Sequence, residues 1–258
     1  MNNLRTYGAP PFNVVVIHGG PGAPGEMATV ARELSGYTGI QEPLQTADSI
    51  DGQVAELKTV LEKSGNPPLI LIGFSWGAWL SYIFTATYPA LVKKLILVSS
   101  GPFEEKYVAR IMATRLSHLS TDEKKEALSS LAALNSGEMK DESFARFGAL
   151  MDKADSYDQW PHDSEILPCS SDIYRQVWGE ASKMRSSGEL LKLGGNIHCP
   201  VVAIHGDYDP HPAAGVKEPL ARVLKDFRFI LMGKCGHHPW LERQAKDNFY
   251  DILGREIR

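Results

Sequence analysis

Cysteine is scarce in this 258-residue chain: Cys169, Cys199 and Cys235 are the only three, an odd number at wide spacings. That argues against a disulfide framework and favours reduced thiols in a cytoplasmic protein. The opening residues, MNNLRTYGAPPF, lack the apolar core of a signal peptide, so export is not expected. Excess charge is also missing. The formal net charge is −4, with no cluster of Lys and Arg, which speaks against a nucleic-acid partner. From Pro67 to Val92 there is no Asp, Glu, Lys or Arg at all, a gap as long as a membrane span. Gly73, Ser75 and Gly77 interrupt that stretch, and Ser81, Thr85 and Thr87 follow. A buried strand and then a buried helix explain it better than a membrane partner. Internal repeats and low-complexity tracts are absent.

What is present is a series of short apolar runs separated by helical patterns. Val14–Ile17, Pro68–Phe74, Leu95–Ser99, Val201–His205 and Phe229–Met232 read as strands, apolar on both faces. Asp48 can cap a helix with Ile50, Val54, Leu57 and Leu61 at helical spacing, Trp76–Tyr88 forms another, one helix includes Leu220 to Leu224, and Trp240–Ile252 forms the last. Such alternation predicts an α/β fold with a mostly parallel sheet of about six strands, flanked by helices on both sides.

The stretch 104–192 differs. It has no strand-like run, and Ser120 with Glu123 makes a capping box ahead of Ala127, Leu128, Leu131 and Leu134. It holds 12 Lys/Arg against 16 Asp/Glu, while the remainder holds 15 of each, so it carries the whole net charge. We read 1–103 and 193–258 as the core and 104–192 as a helical cap inserted after the strand at 95–99. Phe144, Phe147, Tyr157, Trp160, Tyr174 and Trp178 supply that cap's own core, with any remainder available to line an apolar pocket.

GFSWG, residues 73–77, is a G-x-S-x-G pattern between a strand and a helix. That context turns the chain sharply and presents the Ser75 hydroxyl, with Gly73 and Gly77 letting strand and helix approach closely. A serine nucleophile needs a base, and the base a carboxylate to orient it. IHGDYDP (204–210) offers Asp207 or Asp209, and GKCGHHPW (233–240) offers His237 or His238. Each loop lies just past a strand, at the sheet end where such sites form. A tetrahedral intermediate also needs donors for its oxyanion. Trp76, directly after the nucleophile, supplies one backbone N–H. HGGPG (18–22), with its glycines and proline straight after a strand, supplies the other, assigned to Gly20. No cofactor or metal is needed for this chemistry.

These residues resemble the α/β-hydrolase superfamily over Val14–Phe103 and His198–Ile252. HGGPG with a Trp after the nucleophile is similar to the prolyl iminopeptidase branch. Phe74 departs from that branch, which has glycine there, and so does the short N-terminus, which lacks room for the usual pair of leading strands. The resemblance implies Asp209 as the acid, because the family's loop reads glycine, two residues, aspartate. It implies His237 as the base, directly after Gly236. Asp207 then braces its turn, His238 points elsewhere, and His18 orders its own loop. Cys235 is a small filler, and His118, His162 and His198 have no partner visible in sequence.

The expected function is a serine hydrolase acting on a small, mainly apolar ester or related acyl compound. A prolyl iminopeptidase-like aminopeptidase is the alternative, and a slow or non-catalytic small-molecule binding protein of the same fold is a further one. The alternation of His205, Asp207, Asp209 and His211 also suits a metal site on a continuous strand. Gly206 and Pro210 oppose a continuous strand there.

Overall fold

The computed structural model describes residues 3–161, 165–168 and 170–258, with the side chain of Asp141 left aside; His162 and Cys169 lie outside them. Seven strands form one sheet: β1 (Leu4–Tyr7), β2 (Phe12–Ile17), β3 (Gly39–Pro43), β4 (Leu69–Phe74), β5 (Val92–Val98), β6 (Val201–Gly206) and β7 (Phe227–Met232). Their spatial order is β1-β3-β2-β4-β5-β6-β7. All neighbours are parallel except β1 and β3, which run antiparallel at one edge.

Alternate residues of each inner strand feed two cores. Val15 and Ile17 of β2, Leu69 and Leu71 of β4 and Leu95 and Leu97 of β5 face one side. They meet α2 (Ile50–Ser64), α3 (Trp76–Thr87) and α9 (Ala214–Val223). Val14, Val16, Ile70, Ile72, Ile96 and Val98 face the other, against α1 (Ala28–Leu34) and α10 (Lys246–Glu256). Every residue of β4 is buried, and each such Leu or Ile side chain is worth about 1.5–3 kcal/mol over leaving it in water. This two-sided burial is why Pro67–Val92 carries no charge. No helix of the described residues is long and apolar enough to cross a membrane.

Among the described residues between β5 and β6 the regular elements are helices: α4 (Ile111–Ser117), α5 (Thr121–Ser136), α6 (Asp141–Ala154), α7 (Ser171–Ser186) and α8 (Glu189–Lys192), with two short 3-10 turns. The capping box of Ser120 and Glu123 opens α5 as expected. Phe144 and Phe147 join Leu119, Leu134 and Met151 in a third core, with Tyr174 packed against it. Trp178 instead stacks on Trp79 of α3, ring centroids 5.5 Å apart, and Tyr157 and Trp160 are exposed.

The sheet is mostly parallel and flanked by helices as expected, with seven strands for the about six read from sequence. A single strand, β1, rather than a leading pair, precedes β2 within the short N-terminus, and it pairs with β3 at the sheet edge. The structure corrects the sequence reading in two places. Ser49 rather than Asp48 caps α2, its side chain accepting the Gly52 N–H. The last helix starts at Lys246, with only a 3-10 turn at Pro239–Leu241.

Candidate active site

Ser75 sits between β4 and α3 with φ 52° and ψ −113°. A non-glycine residue held there stores strain on the order of 1–3 kcal/mol, which persists only when its surroundings impose it. They do. The Ser75 N–H donates to the Val98 carbonyl of the neighbouring strand at 3.0 Å. A Cβ at Gly73 would lie 2.2 Å from the Gly77 carbonyl, and one at Gly77 would lie 2.3 Å from that of Ile17. Only glycine fits at either position, so strand and helix meet at a bend too sharp for any other pair.

Trp76 opens α3, where a first-turn N–H has no acceptor within its own helix. Its ring is buried, and Nε1 donates to Gln53 Oε1 at 2.9 Å. Phe74, the departure from the iminopeptidase pattern, lies 4.9 Å from both the His237 and the His238 rings and 4.7 Å from Trp240. A glycine there would leave those rings without a backing.

The HGGPG loop is organised by His18, as anticipated. Its Nε2 accepts the Gln45 N–H at 3.2 Å, so Nδ1 carries the proton and donates to the Gly19 carbonyl at 2.8 Å. Burial lowers its pKa and keeps it neutral. The Gly19 N–H donates to Glu26 Oε2 at 2.9 Å. Gly20 has φ 104°, a conformation closed to side-chain-bearing residues.

Asp209 and His237 meet, as the sequence reading required: Nδ1 lies 2.7 Å from Oδ2, and both side chains are buried. Burial alone would raise the Asp209 pKa, but His237, His211 and His205 hold it well below the carboxylate range. A carboxylate facing Nδ1 fixes the proton there and leaves Nε2 as the basic nitrogen. The other oxygen, Oδ1, accepts the His211 N–H at 2.9 Å and faces His211 Nδ1 at 2.8 Å. Desolvation, opposed by Asp209 and assisted by Arg115, brings His211 down to about 4, so its ring is neutral. Asp207 does not join this group. Its Oδ1 accepts the Cys235 N–H at 3.2 Å, the bracing role expected of it.

His238 turns away from Asp209, and its Nε2 lies 3.3 Å from Glu26 Oε1. Burial would lower it, but the Glu26 hydrogen bond and the charges of Asp152, Glu26 and Asp155 push it up to about 9. Glu26 would in turn be raised by burial, yet His238 holds it below the usual value. One buried ion pair thus ties the HGGPG loop to the histidine loop. His238 contributes stability in full below its ordinary 6.5, and that contribution is lost as pH rises through about 9. We expect the thermal midpoint of the wild type to fall across that window. The Glu26→Gln/His238→Gln double variant should lack this part of the slope; parallel melting profiles for the two would mean the pair carries no linked stability.

Sequence reasoning missed Glu26, Arg115, Asp155 and Glu242. Glu242 is fully buried. Its oxygens accept N–H groups from Gly236 (3.0 Å), Tyr157 (2.8 Å) and Asp158 (2.7 Å), seaming residues 157–158 to the loop that bears His237. Arg115 of α4 grips Asp155 on both oxygens, at 2.7 and 2.6 Å. His118 likewise has a partner, the Ala154 carbonyl at 2.7 Å from Nδ1.

The metal reading of 205–211 fails at Asp207, since β6 ends at Gly206 and the chain turns there. Ligating atoms of Asp155, His211 and His237 do lie within 4.8 Å of one another. The Arg115 guanidinium already satisfies that carboxylate, and a second cation beside it would be repelled.

Compared with known families, residues 13–244 match the model described as the alpha/beta hydrolase fold. A 75-residue stretch is 31% identical to epoxide hydrolase 4 of Mus musculus and 29% identical to that of Homo sapiens, covering 29% of this chain. It spans about a fifth (21%) of the length of these curated relatives. Among solved structures, VinJ superposes with a TM-score of 0.69 at 17% identity, over 99% of this chain and 95% of that one. Proline iminopeptidase of Mycobacterium smegmatis gives 0.63 at 16%, over 98% and 93%. At these identities the structural likeness is one of fold.

Proposed function

Because this chain belongs to the alpha/beta hydrolase fold family, we propose that it is a serine hydrolase cleaving small, mainly apolar esters or related acyl compounds through an acyl-enzyme at Ser75. The observation that carries the proposal is the buried 2.7 Å contact between Asp209 and His237, whose imidazole lies 4.9 Å from the ring of Phe74, the residue that precedes the strained Ser75 turn. With the Nδ1 proton held by Asp209, His237 Nε2 takes the Ser75 proton as Oγ attacks the acyl carbon. The N–H groups of Gly20 and Trp76 receive the oxyanion; the Gly19 amide next to the first is already engaged by Glu26. Collapse expels the alcohol, which recovers the proton from His237. Water then repeats the sequence on the acyl-enzyme and frees Ser75.

The likeness to epoxide hydrolase 4 raises an epoxide as a second substrate class. Attack on an epoxide by Ser75 would leave an alkyl ether, which has no carbonyl for water to attack, so turnover would stop after one event. An acyl substrate avoids that dead end.

The proline iminopeptidase likeness raises an aminopeptidase. Gripping a free α-ammonium takes carboxylates without partners of their own in a sheltered pocket. The buried carboxylates around the histidine loop are committed: Glu26 to His238 and Gly19, Asp155 to Arg115, Glu242 to three amides. We therefore expect kcat/KM on short-chain nitrophenyl esters to exceed that on proline nitroanilide by at least about 100-fold. A preference for the proline amide, lost on neutralising an acid of 104–192, would reverse the assignment.

A further inference from the structure

We propose that Arg115 and Asp155, both from the helical segment between β5 and β6, are positioning residues for the Asp209–His237 pair, so that this segment is part of the acid–base apparatus as well as a cover. The proposal rests on the function assigned above and deepens it.

Five groups close into a ring. His237 Nδ1 meets Asp209 Oδ2 at 2.7 Å, and Asp209 Oδ1 meets His211 Nδ1 at 2.8 Å. The His211 ring, neutral with its proton on Nδ1, turns the Nε2 lone pair toward an Arg115 amino group at 3.5 Å. Arg115 holds Asp155 by two charge-assisted hydrogen bonds. The Asp155 backbone carbonyl then accepts the His237 N–H at 2.8 Å. Both ends of the pair are thereby fixed from the helical side: the carboxylate through His211, the imidazole through its own backbone.

The surroundings leave little slack. The Asp155 side chain is 3% exposed and that of Asp209 is fully buried. His205 Nε2 donates to the His211 carbonyl at 2.7 Å and pins the far side of the ring. A Cβ at Gly236 would stand 2.2 Å from the Asp155 carbonyl, so the two loops touch backbone to backbone. Arg115 also does something neutral packing would not. A guanidinium facing Nε2 disfavours a second proton on His211, and a neutral His211 donates to Asp209 without cancelling its charge. The negative charge of Asp209 therefore remains directed at His237.

The test uses the intact protein and two readouts. One is kcat and KM on a nitrophenyl ester. The other is the far-downfield proton resonance of the His237–Asp209 hydrogen bond, which reads the pair whatever the substrate. Because removing one partner of a buried ion pair strands the other, the variant of choice is the double Arg115→Met/Asp155→Leu. We expect kcat to fall about 10- to 100-fold with KM little changed, as for other groups that orient a reacting residue, and the resonance to shift or broaden. His211→Ala should do the same, and His211→Asn, which keeps a side-chain N–H donor, should recover much of the loss. A double variant that is less heat-stable but retains wild-type kcat and an unmoved resonance overturns the proposal, as does a His211→Asn no better than His211→Ala. Should Ser75→Ala retain turnover, the nucleophile assignment falls, and the resonance still decides the role of Arg115 and Asp155.

Discussion

Ser75→Ala is expected to abolish labelling by a fluorophosphonate probe and to lower kcat by about a million-fold, the scale on which a nucleophile and its base fail together. The expectation follows from the turn. Among the described residues, Ser75 is one of three non-glycine residues at positive φ, with Ser99 and Lys234. It alone of these occupies the bend that Gly73 and Gly77 make possible. Ser99 is fully buried at the end of β5, out of reach of a probe. Labelling that persists in Ser75→Ala, at Ser99 or elsewhere, together with retained turnover would remove Ser75 from the mechanism.

The second large effect separates two neighbouring acids. Asp209→Asn should lower kcat by about 10⁴-fold, whereas Asp207→Asn should change it little. An amide at 209 keeps one acceptor oxygen, which the backbone N–H and Nδ1 of His211 both require, so its N–H groups turn to His237 Nδ1, where an acceptor is needed. The imidazole then shifts its proton to Nε2, where it can no longer take one from Ser75. Asp207 accepts the Cys235 N–H, and an amide oxygen can still do that. By the same logic His237→Ala should cost far more activity than His238→Ala, since His238 is paired with Glu26 and not with Asp209. If either pair of variants behaved the other way round, the proton path would run through the wrong residues.

The strands that feed both cores were legible because two-sided burial leaves an unbroken apolar run. β3 was not, since Gly39–Pro43 reads GIQEP yet is buried throughout. Its Glu42 accepts a hydrogen bond from Tyr7 of β1 on Oε2 at 2.8 Å, and no local pattern announces a carboxylate that finds its partner 35 residues away. β1, with four residues and no apolar alternation, was hidden for the same reason. The site divides similarly. Ser75, Asp209 and His237 each lie in a short motif at a strand end, and motif plus position is enough to single them out as candidates. Glu26, Arg115, Asp155 and Glu242 each reach a partner 40 to 212 residues distant. Their chemistry exists only once the chain has folded.

The strand order has a consequence for how the protein is made. The Ser75 turn belongs to β4 at the centre of the sheet, while Asp209 follows β6 and His237 follows β7 at its edge. A chain emerging from the ribosome therefore exposes Ser75 long before residue 209 or 237 has been synthesised. Under the mechanism proposed above, the serine until then has neither a base nor an orienting carboxylate and is chemically an ordinary alcohol. Addition of the last parallel strand and its histidine loop would arm it, in the same step that completes the sheet.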